Sequence, residues 1–113
     1  MSLQAYQATQ KTVESPREAE YRIFGQVTSA LVRAEENTDD LKARIDAVGD
    51  NRKLWSALAM DCATEGNGLP DVLRAQIISL SIWVGKYSTE VMTAKASMEP
   101  LIDVNRAVME GLK

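Results

Sequence analysis

Residues 70–97, with the sequence PDVLRAQIISLSIWVGKYSTEVMTAKAS, decide the fold class. Apolar residues recur along this stretch with alternating spacings of four and three, at Leu73, Ile77, Leu80, Val84, Tyr87, Val91 and Ala94. Such spacing is typical of a helix that packs lengthwise on neighbouring helices. We therefore predict one long helix from Pro70 to about Ser97, ended by Pro100.

The middle of this predicted helix carries more apolar residues than one seam needs. Ile78 and Ile82 lie off the seam, and Trp83 lies beside it. The surplus must face either a second helix of the same chain or another protein. We predict a partner-binding site at Ile78, Ile82 and Trp83, with Arg74 on its rim.

Two helix starts are marked upstream by capping residues. Ser15 precedes Pro16 and lies three residues before Glu18, which predicts a helix from Pro16 to about Ala34. Thr38, ahead of two aspartates, is predicted to cap the next helix. Apolar residues keep helical spacing from there to Cys62, and this spacing places Trp55 in the core. We therefore expect one helix that runs through Gly49, with a break at residues 49–51 as the alternative.

Shorter helices are predicted at both ends of the chain. Leu3, Tyr6, Gln10 and Val13 outline a first helix, which is marginal unless it docks. The last helix follows Pro100 and is outlined by Leu101, Val104, Asn105, Val108 and Leu112. The prediction is an all-α bundle of four to five helices with a long fourth helix, forming one domain over residues 1–113.

Composition excludes several classes of function. The chain has no His and one Cys among its 113 residues, so a Ser-His-Asp or Cys-His catalytic set, a His-ligated metal site and an internal disulfide are ruled out. Its 16 acidic and 13 basic residues give a net charge of −3, which disfavours binding to nucleic acid or anionic membrane. We predict a cytoplasmic protein without enzymatic activity, metal, cofactor or membrane insertion.

Polar residues near the predicted helix junctions are the remaining candidates for a site: Asn51, Arg52, Asn67, Arg74 and Asn105. They fit two interpretations. In the first, they bond helix-end carbonyls and fix the loops. In the second, they form the polar rim of a groove that receives a helix of another protein.

Five segments in order along the chain resemble the FlaF family of flagellar biosynthesis proteins, and the resemblance extends from about Tyr6 to Leu112. They are residues 15–20 (SPREAE), 51–55 (NRKLW), 67–70 with 73–75 (NGLP and LRA), 77–80 with 83–84 (IISL and WV), and 101–106 through 111–112 (LIDVNR to GL).

This resemblance implies a small cytoplasmic protein needed for flagellin production and export, which acts opposite the negative regulator FlbT and behaves like a flagellin-binding secretion chaperone. Flagellin is then the expected partner, and FlbT is a second candidate. The alternative is a translational regulator that contacts flagellin messenger RNA directly. A regulator of that kind needs a basic face with stacking aromatic residues, which scattered Lys and Arg residues do not supply.

Overall fold

The computed structural model describes residues 14–64, 66 and 68–112. This part of the chain forms four α-helices and contains no β-strand: α1 (Pro16–Glu36), α2 (Leu41–Ala63), α3 (Asp71–Ala94) and α4 (Glu99–Leu112). The predicted all-α fold is confirmed. The predicted short first helix lies outside the described residues, so the long helix expected as the fourth is α3.

Helix α1 begins where the sequence predicts. The Ser15 side chain accepts a hydrogen bond of 3.1 Å from the backbone N–H of Glu18, and Pro16 occupies the first helical position. Proline is tolerated there because the first backbone N–H groups of a helix have no partner within the helix.

The predicted cap of α2 is wrong by two residues. Asp40, not Thr38, is the N-cap, and its carboxylate accepts a 3.0 Å hydrogen bond from the N–H of Ala43. The Asp40 N–H donates a hydrogen bond to the Asn37 carbonyl. Residues 37–40 therefore form a turn, and Thr38 lies within it instead of at the start of the helix. The helix then runs unbroken through Gly49, which confirms the continuous helix.

The predicted end of the long helix is also wrong. Helix α3 stops at Ala94 because Lys95 adopts a left-handed conformation with φ of 54°. Pro100 does not end that helix. It lies in the first turn of α4, where its missing N–H costs no helical hydrogen bond.

The predicted apolar stripes are buried only in part. On α3, Val84 and Val91 are buried, but Leu73 is 40% exposed. On α2, Leu41 and Ile45 are exposed, and Arg44 and Ala47 are buried in their place. Both stripes are therefore exposed near the start of their helices.

Trp55 lies at the centre of the core, as predicted, with 1% of its surface exposed. Its ring meets that of Phe24 edge to face at 5.8 Å. Its indole N–H donates a 2.8 Å hydrogen bond to Asn105 Oδ1, and Asn105 Nδ2 donates to Thr28 Oγ1 at 3.1 Å and to Asn51 Oδ1 at 2.8 Å. This buried polar network connects α1, α2 and α4.

Helix α1 packs on α2 and α4, and α3 packs on α2; the packing between α3 and α4 is the sparsest of the four neighbouring pairs. On one side, Arg52 of α2 donates to the Gly85 carbonyl and to Thr89 Oγ1 of α3. On the other, the Glu35 carboxylate of α1 accepts hydrogen bonds from Ser97 Oγ and the Met98 N–H, which precede α4. Arg52 thus holds α3 on α2, and Glu35 holds the start of α4 on α1.

Replacing the central aromatic ring tests this arrangement. Trp55→Ala leaves a cavity and removes the Phe24 contact, so it is expected to lower the free energy of unfolding by about 3–5 kcal/mol. Urea unfolding followed by far-UV circular dichroism gives the value. A loss below about 1 kcal/mol, the size of an ordinary substitution, would show that Trp55 is not in the core.

Asn105→Ala tests the buried polar network. The variant leaves the Trp55 N–H and the Asn51 amide oxygen without their partner, and each unsatisfied buried group costs roughly 1–3 kcal/mol. We expect a loss of at least about 2 kcal/mol by the same unfolding measurement. The neighbouring Arg106→Ala, at an exposed position of α4, is the control and should change stability by less than about 0.5 kcal/mol.

Candidate functional site

The predicted partner site on α3 is an exposed apolar face, which we call the α3 outer face and define as Ile78, Ile82 and Trp83. Ile82 is 57% exposed and Trp83 36% exposed, whereas Ile78 is half-buried. The Trp83 ring stacks on Tyr87 with centroids 5.1 Å apart and an angle of 16° between the planes. The stack holds the indole in one orientation and leaves part of it open to solvent.

Tyr87 is itself fixed from the opposite end of its ring. Its hydroxyl donates a 2.6 Å hydrogen bond to the Ser97 carbonyl. Burial raises the pKa of this phenol above its ordinary value, and the carboxylates of Glu90 and Glu35 add to the increase. Tyr87 therefore stays neutral at physiological pH and serves as a rigid support for Trp83.

Arg74 donates hydrogen bonds to carbonyls at the end of a helix, which agrees with the first interpretation of the junction residues. Its Nε donates a 2.6 Å hydrogen bond to the Cys62 carbonyl in the last turn of α2, and its Nη2 donates to the Thr64 carbonyl at 3.4 Å. It also pairs with Asp71 at 3.4 Å. Arg74 thus ties the start of α3 to the end of α2, and only about a quarter of its side chain is exposed.

Asn51 and Asn105 were predicted on a polar rim, but neither has any exposed surface. They bond each other in the core, where Asn105 of α4 faces Asn51 of α2. As folded, neither can contact a partner. Arg52 is half-buried and bonds α3, and Asn67 lies outside the described residues.

A groove that the sequence did not reveal lies between the start of α3 and the end of α4. It has a volume of about 760 Å³. We call it the α3–α4 groove and define it by seven of its apolar side chains: Leu58, Leu73, Ile77, Leu80, Val104, Val108 and Leu112. All seven retain some exposure, because the two outer helices do not close on each other at this end.

Cys62 lies in the wall of this groove and is buried. Burial raises the pKa of its thiol above the ordinary value. The Arg74 guanidinium opposes this increase, and the carboxylates of Asp61 and Glu20 add to it. A raised pKa means less thiolate at neutral pH, so Cys62 is a weak nucleophile and contributes apolar surface to the wall.

The described part of the chain has neither a metal-binding cluster nor a membrane-spanning helix. Within residues 14–64, 66 and 68–112, no group of three or more His, Cys, Asp or Glu residues could hold a metal ion. None of the described helices has the length and apolar character needed to cross a bilayer.

The state of Cys62 can be measured by alkylation. Because burial limits access and lowers the thiolate fraction, the folded chain at pH 8 should react with iodoacetamide more than about tenfold slower than the urea-unfolded chain. The native rate should keep rising at alkaline pH after the rate of the unfolded chain has levelled off, since burial raises the pKa of the thiol. Cys62→Ser supplies the blank. Equal rates in the folded and unfolded chains would contradict the buried position.

Comparison with known proteins gives a match at the level of the family. No curated protein and no solved structure is significantly similar to this chain. The profile of a protein family described as "Flagellar protein FlaF" matches residues 2–112, nearly the whole length. The resemblance predicted from the sequence is thereby confirmed, and the chain belongs to the FlaF family.

Proposed function

We propose that this protein binds flagellin in the cytoplasm and promotes its synthesis and secretion, as a chaperone or adaptor in flagellum assembly. Membership of a flagellar protein family supports a role in this process. The observation that carries the binding proposal is the α3 outer face, where Ile82 and Trp83 are open to solvent on a folded chain. The proposal gives the protein no catalytic activity and no cofactor.

The state of the proposed client, flagellin, explains why an exposed apolar face would bind it. Flagellin ends form amphipathic helices that are packed in the filament, so a monomer held for export has apolar stripes that need cover. Ile82 and a partly exposed, rigidly stacked Trp83 offer the aromatic and aliphatic anchors that dominate many interfaces. A fixed indole also loses little conformational entropy on binding.

The polar residues expected beside this face divide into two groups. Asn51 and Asn105 are committed to the core, so the proposed contact does not include them. Arg74 and Arg52 bind the protein's own carbonyls but keep some exposed surface, so they remain candidates for the rim. The proposed flagellin contact therefore centres on α3.

Ile82→Glu tests the proposal. Ile82 is more than half exposed, so the variant should melt within a few degrees of wild type. It should also lose at least about tenfold in affinity for purified flagellin, because a carboxylate would be buried against the client's apolar stripe. Leu41→Glu is the matched control. It adds the same charge at another exposed aliphatic position, on α2, and should bind flagellin like wild type.

The same binding measurement is repeated with flagellin leader RNA and with purified FlbT. Wild-type chain that fails to bind flagellin would overturn the proposal. Binding to the leader RNA without binding to flagellin would support the translational regulator instead. Ile82→Glu that is folded and binds flagellin normally would remove the α3 outer face from the contact.

A further inference from the structure

We propose that Glu35 is a positioning residue for the α3 outer face, because it holds the connection on which the orientation of Trp83 depends. This connection consists of residues 95–98, which join α3 to α4. Glu35 lies on α1 and is not itself part of the face. The inference deepens the proposed function and rests on it only where it concerns the client.

The Glu35 carboxylate holds the connection with both of its oxygens. Oε1 accepts a 2.8 Å hydrogen bond from Ser97 Oγ, and Oε2 accepts a 3.0 Å hydrogen bond from the Met98 N–H. Hydrogen bonds to an ionised acceptor are stronger than those between neutral groups. Ser97 Oγ also accepts a 3.1 Å hydrogen bond from the Glu99 N–H, so the start of α4 is linked to the same carboxylate.

Arg44 of α2 keeps this carboxylate in place. Its Nη1 lies 3.7 Å from Glu35 Oε2, and only 11% of its side chain is exposed. A guanidinium that is largely shielded from water needs an anionic partner, because an unpaired buried charge is costly. The pair therefore holds the Glu35 carboxylate between α2 and the connection, where it reaches Ser97.

The same connection fixes the aromatic pair of the α3 outer face. The Ser97 carbonyl accepts a 2.6 Å hydrogen bond from the Tyr87 hydroxyl, and the Tyr87 ring stacks on Trp83 with centroids 5.1 Å apart. The two rings are neighbours because their residues are four apart on one helix. The bond to Ser97 adds a restraint that the helix does not provide, since it fixes the rotation of the tyrosine side chain. The orientation of Trp83 then depends on where Glu35 holds the connection.

A fixed indole favours binding because a partner need not immobilise it. Ordering a side chain at an interface reduces affinity, so an indole that is already ordered binds more tightly. A role for Glu35 in stability alone leads to a different expectation. Its loss would then lower the free energy of unfolding but leave Trp83 unchanged in the folded chain.

Fluorine NMR of the full chain labelled with 5-fluorotryptophan separates these two roles. The chain has two tryptophans, and Trp83→Phe identifies the signal of Trp83. Glu35→Ala should shift or broaden the Trp83 signal and leave the Trp55 signal in place. Tyr87→Phe keeps the ring but removes the hydroxyl, so it should have the same effect on Trp83. The double variant should change the signal no further than Tyr87→Phe alone, because the two residues act in series.

Three control variants make this measurement specific. Glu36→Ala removes the neighbouring exposed carboxylate and should keep the wild-type Trp83 signal. Asn105→Ala weakens the core through other partners, so it should also keep that signal. Glu35→Gln retains a side-chain acceptor and should restore most of the Trp83 signal.

An unchanged Trp83 signal in folded Glu35→Ala would overturn the proposal. If Glu35→Ala does not fold, Ser97→Ala takes its place, because it removes one of the two hydrogen bonds and leaves Arg44 its carboxylate. Ser97→Ala should shift the Trp83 signal in the same direction as Tyr87→Phe. No shift in Ser97→Ala would then overturn the proposal.

Affinity for purified flagellin links the position of Trp83 to the client. Glu35→Ala and Tyr87→Phe should each weaken binding about three- to tenfold, because flagellin must then immobilise the indole. Glu36→Ala should bind like wild type. A changed Trp83 signal with unchanged affinity would overturn the proposal and leave the proposed function standing. Wild-type chain that does not bind flagellin would overturn the proposed function, and the fluorine signals would then decide the positioning of Trp83 by themselves.

Discussion

The amide of Asn105 holds the centre of this structure together. It accepts from the Trp55 indole and donates to Asn51 and Thr28, so one side chain joins three helices where water is excluded. Apolar packing alone would allow these helices to slide by a turn at little cost, but a buried amide that meets its partners in only one alignment fixes the register. The network fixes α1, α2 and α4 relative to one another, and Arg52 and Arg74 then hold α3 on α2.

Much of this fold could be predicted from local sequence signals. The cap at Ser15 and the helical spacing of apolar residues through Gly49 depend only on residues close together in the sequence. Both predicted their helices correctly. Two boundaries were missed because they depend on competition between similar signals. Asp40 replaced Thr38 as a cap when a turn formed ahead of it, and Lys95 ended a helix before Pro100 could do so.

The candidate site was less predictable because it depends on which helices meet. The sequence indicated apolar stripes on α3 and α4 but could not show that the two stripes leave a gap at one end. It identified Asn51 and Asn105 as unusual polar residues in helices, yet gave no sign that they pair across 54 positions. Ile82 and Trp83 could be found, since a surplus of apolar residues on one helix is visible without knowing its neighbours.

The position of the Asn105 amide also affects which part of the fold opens most easily. Its hydrogen bonds lie in the core. The first turns of α3 and the last turns of α4 lie at the end of the bundle that carries the α3–α4 groove. At that end, α3 is held to α2 through Arg74 and through half-buried aliphatic side chains. Backbone amides at that end are therefore expected to exchange with solvent sooner than those beside the Asn105 network.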